Sequence, residues 1–195
     1  MTSKASLARR LALVPLVGAA LGVLVGGVVG RLVMYALVRV SPEAAGRVSD
    51  DGFEMGRFTL SGSLNLLLVG GFLGLVGGVI YALVRWLLFG PAWFRLVCVA
   101  AGAGVPVGNQ IVHVDGVDFT LLQPPWLSVA CFVAVPALYG VALHLVVERR
   151  LLSAWPVPPR GPLLLVVVVW VARAGALAVG LLSLADLVDK VATLG

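Results

Sequence analysis

Long apolar stretches are the feature of this sequence that most restricts the folds open to it. Five of them, each long enough to cross a bilayer as a helix of about 20 residues, lie at 11–38, 60–89, 92–112, 126–147 and 162–185. Only 12% of the residues are charged, whereas an ordinary soluble domain has roughly 25%. The sequence therefore predicts an all-α, polytopic transmembrane bundle of about five spans in a single domain, 1–195. It excludes a disordered chain, a disulfide scaffold and an ordinary cytosolic enzyme.

Charged residues divide unevenly between the two sides of the predicted bundle. With the N-terminus inside, the inner side carries most of the basic residues: Lys4, Arg9, Arg10, Arg85, Arg95, Arg149, Arg150 and Arg160. Every acidic residue except Glu148 then lies outside, many of them in the loop at 41–59. Cytoplasmic loops are enriched in Lys and Arg. Because scarce Lys, Ile and Asn are also typical of a high-GC bacterial genome, we expect a multi-pass protein of a bacterial plasma membrane, with the N-terminus cytoplasmic and the C-terminus outside.

Glycines recur every four residues in the first two spans. The first span carries Gly18, Gly22, Gly26 and Gly30, and the second carries Gly70, Gly74 and Gly78. Small residues at this spacing line one face of a helix and let two backbones approach closely, which matters because lipid provides no hydrophobic drive for helix association. We expect these faces to pack within the bundle. An oligomer interface and a gate between sliding helices are the alternatives.

Polar and ionisable residues inside the predicted spans are the first candidates for function, because burying them in a bilayer is costly. They are Arg173, Asn109, Gln110, Tyr139 and His144. Arg173 is predicted near the middle of the fifth span, on the same face as Ala176 and Gly180. Two interpretations stay open: Arg173 binds an anion or a lipid headgroup, or it is a structural residue bonded to carbonyl groups.

Two predicted outer loops are acidic, and each contains an Asp-Gly turn beside an aromatic residue. Their candidate residues are Asp50, Asp51, Glu54, His113, Asp115 and Asp118, with Arg31 as a basic neighbour. The spacing matches no standard metal site, so we expect these acids to pair with Arg31, Arg39, Arg47 and Arg57 rather than to bind a divalent cation. The sequence contains no motif for a metal, a cofactor or a nucleic acid.

A five-residue repeat links the ends of the first two spans. Tyr35-Ala-Leu-Val-Arg39 recurs as Tyr81-Ala-Leu-Val-Arg85, and the two copies are predicted on opposite sides of the membrane. Transporters built from inverted repeats can retain short matching segments of this kind. A match of only five residues, in a chain composed of few residue types, is also expected by chance. His144 and Glu148, one helical turn apart near the inner end of the fourth span, are interpreted as a surface electrostatic pair.

The segments SDDGFEMGRFTLSGSLNLLLVGG and HVDGVDFTLLQPPW resemble those of a family of small polytopic membrane proteins from high-GC Gram-positive bacteria. That family has no known activity. The resemblance therefore implies location and topology, and it adds nothing on mechanism.

Three classes of function are consistent with these features. The first is a non-enzymatic membrane module or accessory subunit, in contact with the lipid bilayer and with a second copy or a membrane partner protein. The second is a small-solute or anion permease that uses Arg173. The third, with the least support, is a membrane enzyme or metal site on the outer loops. The sequence favours a non-enzymatic role without a cofactor or a nucleic-acid partner.

Overall fold

The computed structural model describes residues 4–50, 52–152 and 163–194, which form a bundle of long helices. The helices are α1 (Lys4–Leu21), α2 (Gly30–Val40), α3 (Leu60–Val84), α4 (Ala92–Ile111), α5 (Val117–Leu121), α6 (Pro125–Val146) and α7 (Leu163–Leu194). Within these described ranges, the extended pairing is limited to one isolated bridge between Val48 and Glu54. The predicted all-α bundle is confirmed.

The first two helices belong to one continuous helix. A π-helical segment, Gly22–Val29, joins α1 to α2 without a break. The apolar part of this helix, Leu7–Val40, has 34 residues and is about 51 Å long at 1.5 Å per residue. A helix of this length either tilts in a hydrocarbon core of about 30 Å or extends past it.

Among the residues that the structure describes, four helices are long and apolar enough to cross a membrane: Leu7–Val40, Leu60–Leu87, Pro125–Leu151 and Leu165–Leu194. They correspond to four of the five predicted spans and fit an integral membrane protein. The remaining predicted span, 92–112, forms α4, a helix of 20 residues. Because α4 includes Arg95, Asn109 and Gln110, it is less apolar than the other four. A count of five spans stays a prediction.

The last helix continues beyond the predicted end of its span at 185. It runs to Leu194, so Asp186 and Lys190 lie on the helix and not in a terminal tail. Lys190 Nζ is 3.2 Å from the Asp186 carboxylate, and it donates to the main-chain and side-chain oxygens of Asn109 at 2.7 and 2.9 Å. These contacts hold the end of α7 beside the end of α4.

Contacts between helices define two ends of the bundle. At one end, which we name the N-terminal end, Arg10 donates to the Leu151 carbonyl at 3.1 Å. At the other, the loop end, Ser41 Oγ donates to the Gln123 carbonyl at 2.8 Å, and its oxygen accepts from the Gln123 amide at 2.7 Å. The loop at 41–59 ends at Thr59, whose side chain caps the start of α3.

The first helix and α3 pack backbone against backbone. A Cβ added at Gly22 would lie 2.7 Å from the Gly74 Cα, and one added at Gly18 would lie 2.9 Å from the Gly78 Cα. Real Cβ atoms essentially never come that close to another heavy atom, so these positions require glycine. The glycine faces of the two helices therefore pack within the bundle.

The close contact of the first helix with α3 ends before Gly30. An added Cβ at Gly26 would lie 3.3 Å from the Gly70 Cα, and at Gly30 no atom is closer than 4.0 Å. Gly30 therefore does not take part in the close contact, although it continues the four-residue spacing. Within the π-helical segment Gly22–Val29, by contrast, an added Cβ at Gly27 would lie 3.1 Å from the Leu67 Cα, so the close approach continues through that segment.

Two further helices form a second close pair. An added Cβ at Gly104 of α4 would lie 2.9 Å from the Ala137 Cβ of α6, and one at Gly140 of α6 would lie 2.8 Å from the Ala103 Cβ. The remaining long helix, α7, packs mainly on α4 and leaves most of its surface exposed. In lipid, that surface faces acyl chains or another protein.

We expect Gly22→Ala to lower the free energy of unfolding by about 1–3 kcal/mol, because the new methyl group overpacks a backbone contact that cannot move aside. Gly180→Ala on α7 is the matched control. Nothing lies within 4 Å of an added Cβ there, so the change should be neutral or slightly stabilising. Unfolding of both variants in detergent micelles, followed by circular dichroism, tests this. Equal stability of the two variants would contradict the close contact.

Candidate functional site

A cluster of four polar side chains lies in the packed interior near the N-terminal end. Tyr81 and Arg85 come from the end of α3, and His144 and Glu148 come from α6 and the π-helical turn that follows it, Val147–Leu151. The Arg85 guanidinium binds Glu148 with two bonds, from Nε at 2.9 Å and from Nη2 at 2.6 Å. The Tyr81 hydroxyl donates to the same carboxylate at 2.8 Å.

The hydroxyl of Tyr81 also lies 2.7 Å from the Nδ1 of His144. A phenol has only one hydrogen, so donation to Glu148 leaves the Tyr81 oxygen as an acceptor. His144 therefore carries its proton on Nδ1 and donates to Tyr81. The order of donors is His144 to Tyr81 to Glu148, and Arg85 supplies the balancing charge from the other side.

Burial makes the ion pair in this cluster important for stability. The side chains of Arg85 and Glu148 are only 9% and 13% exposed. Apolar residues that are almost completely buried surround them, among them Val14, Leu143 and Val147. In such a surrounding an intact, doubly bonded pair is tolerated, whereas a single charge left alone is strongly unfavourable. The cluster therefore fixes how α3 and α6 meet.

The sequence contained a partial signal for this cluster. Tyr81 and Arg85 are four residues apart, as are His144 and Glu148, so each pair shares a helix face. The interpretation of His144 and Glu148 as a surface pair is wrong, because both are largely buried. Helical spacing showed two pairs, but it could not show that the two faces meet.

Arg173 lies beside the connection between α3 and α4. Its Nε donates to the Leu87 carbonyl at 2.9 Å, just after the end of α3. Its guanidinium carbon lies 4.5 Å from the ring centre of Phe89 and 4.9 Å from that of Trp170. Arg173 is therefore level with the α3–α4 connection at the N-terminal end. It contacts one carbonyl group and two aromatic rings. This agrees with the interpretation of Arg173 as a structural residue bonded to carbonyl groups.

The other predicted intramembrane residues are Tyr139, Asn109, Gln110 and His144. Tyr139 donates to the Gly74 carbonyl at 2.6 Å, in the middle of the bundle. Asn109 binds Lys190 at the loop end, and Gln110 beside it is exposed. Arg173 and His144 lie toward the N-terminal end with different partners. The five predicted residues do not form one site.

The two acidic loops meet at the loop end through Asp50. Its carboxylate accepts from the main-chain amides of Val117 and Asp118, at 3.0 and 3.4 Å, at the start of α5. Glu54 forms an ion pair with Arg57 at 2.6 Å. The predicted pairing of acids with arginines therefore holds for Glu54, whereas Asp50 binds backbone amides instead.

The other acidic-loop candidates are His113, Asp115, Asp118 and Asp51. The main-chain carbonyl of His113 accepts from Gly116, and Asp118 is buried. Asp51 lies outside the described residues. In the described part of the chain, which includes Asp115, no group of three or more His, Cys, Asp or Glu side chains is arranged to hold a metal ion. Arg31 donates to the main-chain carbonyl of Arg57.

Comparison with known proteins identified no relative of this chain. No protein-family model matches the chain, and neither a curated protein nor a solved structure is significantly similar to it. The site therefore has to be interpreted from its own geometry.

We expect Glu148→Gln to lower the free energy of unfolding by about 3–5 kcal/mol, because it leaves the Arg85 guanidinium buried without its counter-charge. Glu54→Gln is the matched control. Its pair with Arg57 is exposed, so about 0–1 kcal/mol should be lost. Denaturant unfolding in micelles measures both. A loss at Glu148 no larger than that at Glu54 would refute the buried pair.

Proposed function

We propose that this chain is a non-enzymatic membrane module, an accessory subunit whose helices form a bundle closed to solutes. The observation that carries the proposal is the separate binding of the intramembrane polar side chains. Asn109 binds Lys190, Tyr139 binds Gly74, His144 binds Tyr81, and Arg173 binds Leu87. Each contact joins two helices, or a helix and a connection, of the same chain.

A permease requires polar groups that follow one another along a path across the membrane. Here the polar groups are used to join helices at three separate levels. Between those levels the close contact of glycine backbones at Gly18, Gly22 and Gly74 leaves no space for a solute between the first helix and α3. The two cavities described at the loop end have none of the predicted intramembrane side chains in their walls. This arrangement supports a structural role over transport.

The surface of the bundle supports an accessory role. Apart from Gly30, the glycines of the first helix and of α3 lie in close contact with other residues of the same chain. By contrast, nothing lies within 4 Å of a Cβ added at Gly175 or Gly180 of α7. In the most apolar part of this helix, only 6% of the residues are buried. Small residues on an open helix face permit close approach of another membrane helix. Among the long helices described, α7 offers the most surface to lipid or to a partner.

Transport activity is the most direct test of the closed bundle. Vesicles that contain the purified protein should show chloride and phosphate fluxes equal to those of empty vesicles, and Arg173→Leu should change neither. Flux above the empty-vesicle level that disappears in Arg173→Leu but persists in Arg149→Leu would favour the permease. Arg149 is an exposed basic residue near the same end, so it controls for loss of charge alone.

We further propose that the N-terminal end faces the cytoplasm. The basic residues Arg10, Arg85 and Arg173 lie at that end, and cytoplasmic ends of membrane proteins are rich in such residues. On α7, Arg173 contacts Leu87 at the N-terminal end, whereas Lys190 contacts Asn109 at the loop end. The proposed orientation therefore places Lys190 on the outer side.

A reporter fused after Gly195 tests this orientation. We expect alkaline phosphatase, which is active only outside, to be active in this fusion, and a cytoplasmic fluorescent reporter to be dark or inactive there. A fusion at the N-terminus should give the opposite pattern. Both termini on one side would show that α4 does not cross, and would contradict the five-span topology.

A further inference from the structure

The loop end contains a cavity whose wall is basic. The cavity has a volume of about 350 Å³, within the roughly 300–1,000 Å³ of small-ligand pockets. Tyr35, Arg39 and Arg57 supply its polar lining, and Val38, Pro42 and Met55 supply apolar lining. No carboxylate is among its described lining residues. The wall is therefore suited to a ligand that combines negative charge with some apolar surface.

The repeated sequence shows what a Tyr–Arg pair of this spacing binds in this protein. In the copy at the N-terminal end, the Tyr81 hydroxyl and the Arg85 guanidinium converge on one carboxylate, that of Glu148. The two side chains are four residues apart on one helix face. A hydroxyl donor beside a planar guanidinium is therefore already used here as an oxyanion receptor.

The copy at the loop end has the same two side chains without that acid. The Arg39 guanidinium donates to the Tyr35 hydroxyl and lies over its ring, with the guanidinium carbon 4.9 Å from the ring centre. In the described part of the chain, no carboxylate forms an ion pair with Arg39. The cavity lies beside this pair. Since a guanidinium has five N–H donors, the bond to Tyr35 leaves most of them for a ligand.

A second guanidinium strengthens the site. Arg57 lines the same cavity, and only its Nη1 is paired with Glu54. The side chain of Arg31 donates to the Arg57 carbonyl and so ties this part of the loop to the first helix. Arg31 is therefore a positioning residue, whereas Arg39 and Arg57 are placed to contact a ligand.

We propose that this cavity binds a phosphate group through Arg39, Arg57 and the Tyr35 hydroxyl. The copy at the N-terminal end holds a carboxylate with one Arg and one Tyr, whereas the loop-end cavity offers two guanidiniums and more room. A phosphate group has more acceptor oxygens than a carboxylate, and two guanidiniums match its geometry and charge. The proposal does not depend on whether the bundle transports solutes.

The phosphate group can belong to a lipid or to a soluble molecule. Exposed apolar side chains adjoin the site at the same end: Val40 is 56% exposed, Phe58 is 59% exposed and Leu60 is 79% exposed. Such side chains contact acyl chains where a helix leaves the bilayer. They would place the headgroup of an anionic phospholipid at the mouth of the cavity, and the experiment separates this source from free phosphate.

The test uses the full-length protein with two probes. Nanodiscs of phosphatidylglycerol are compared with nanodiscs of phosphatidylcholine by counting lipids that stay bound in native mass spectrometry. Inorganic phosphate is titrated into the protein in a zwitterionic detergent by calorimetry. We expect retention of phosphatidylglycerol over phosphatidylcholine for a lipid site, or phosphate binding without lipid retention for a soluble ligand. Either result supports the site, and binding of neither probe overturns it.

Variants locate the binding. Arg39→Gln should weaken binding about tenfold or more, because it removes a charged hydrogen bond, and Tyr35→Phe should weaken it by a smaller factor. Arg47→Gln is the matched control, since Arg47 is exposed on the same loop and does not line the cavity. It should change affinity by less than about twofold. Equal weakening by Arg39→Gln and Arg47→Gln, with unchanged melting temperatures, would show nonspecific attraction and overturn the proposal.

Discussion

The rest of the bundle depends on the contact of glycine backbones between the first helix and α3. At Gly22 and Gly74 the two main chains touch, which sets the distance between these helices to its lower limit. The third helix of this group, α6, is positioned by the same surface, because the Tyr139 hydroxyl donates to the Gly74 carbonyl and an added Cβ at Gly77 would lie 2.8 Å from that hydroxyl. A larger residue in this contact would move α3, and with it every group that α3 carries.

The buried ion pair is the first such group. Arg85 and Glu148 meet with two hydrogen bonds only if α3 and α6 are held at the right distance, and Tyr81 reaches the same carboxylate under the same condition. Membrane proteins cannot rely on water to satisfy displaced polar groups, so a small shift would leave charges unpaired in an apolar surrounding. Backbone packing and charge pairing therefore support each other. Their combination makes a rigid bundle a better interpretation than a gate.

Sequence spacing was sufficient for the features that depend on one helix at a time. Apolar length predicted the helices, and the four-residue glycine spacing identified the contact face at Gly18 and Gly22. Features that depend on how two helices pack could not be predicted from this spacing. The pairing of Glu148 with Arg85 depends on the relative rotation of α3 and α6, and Glu148 lies in the π-helical turn Val147–Leu151 that follows α6. The contact of Arg173 with the Leu87 carbonyl likewise needs the placement of α7 beside the α3–α4 connection, which spacing within one helix does not give.

The five-residue repeat shows how one local arrangement acquires two roles. Both copies place a Tyr and an Arg four residues apart, and in both the hydroxyl and the guanidinium are neighbours. At the N-terminal end, α6 supplies a carboxylate and the pair becomes part of the interior. At the loop end, the segment 41–59 supplies the second guanidinium of Arg57 and a cavity, and its Glu54 pairs with Arg57 and not with Arg39. Since two guanidiniums repel each other, their placement around one cavity is favourable when an anion lies between them. The same Tyr–Arg spacing therefore holds the helices together at one end and favours a ligand at the other.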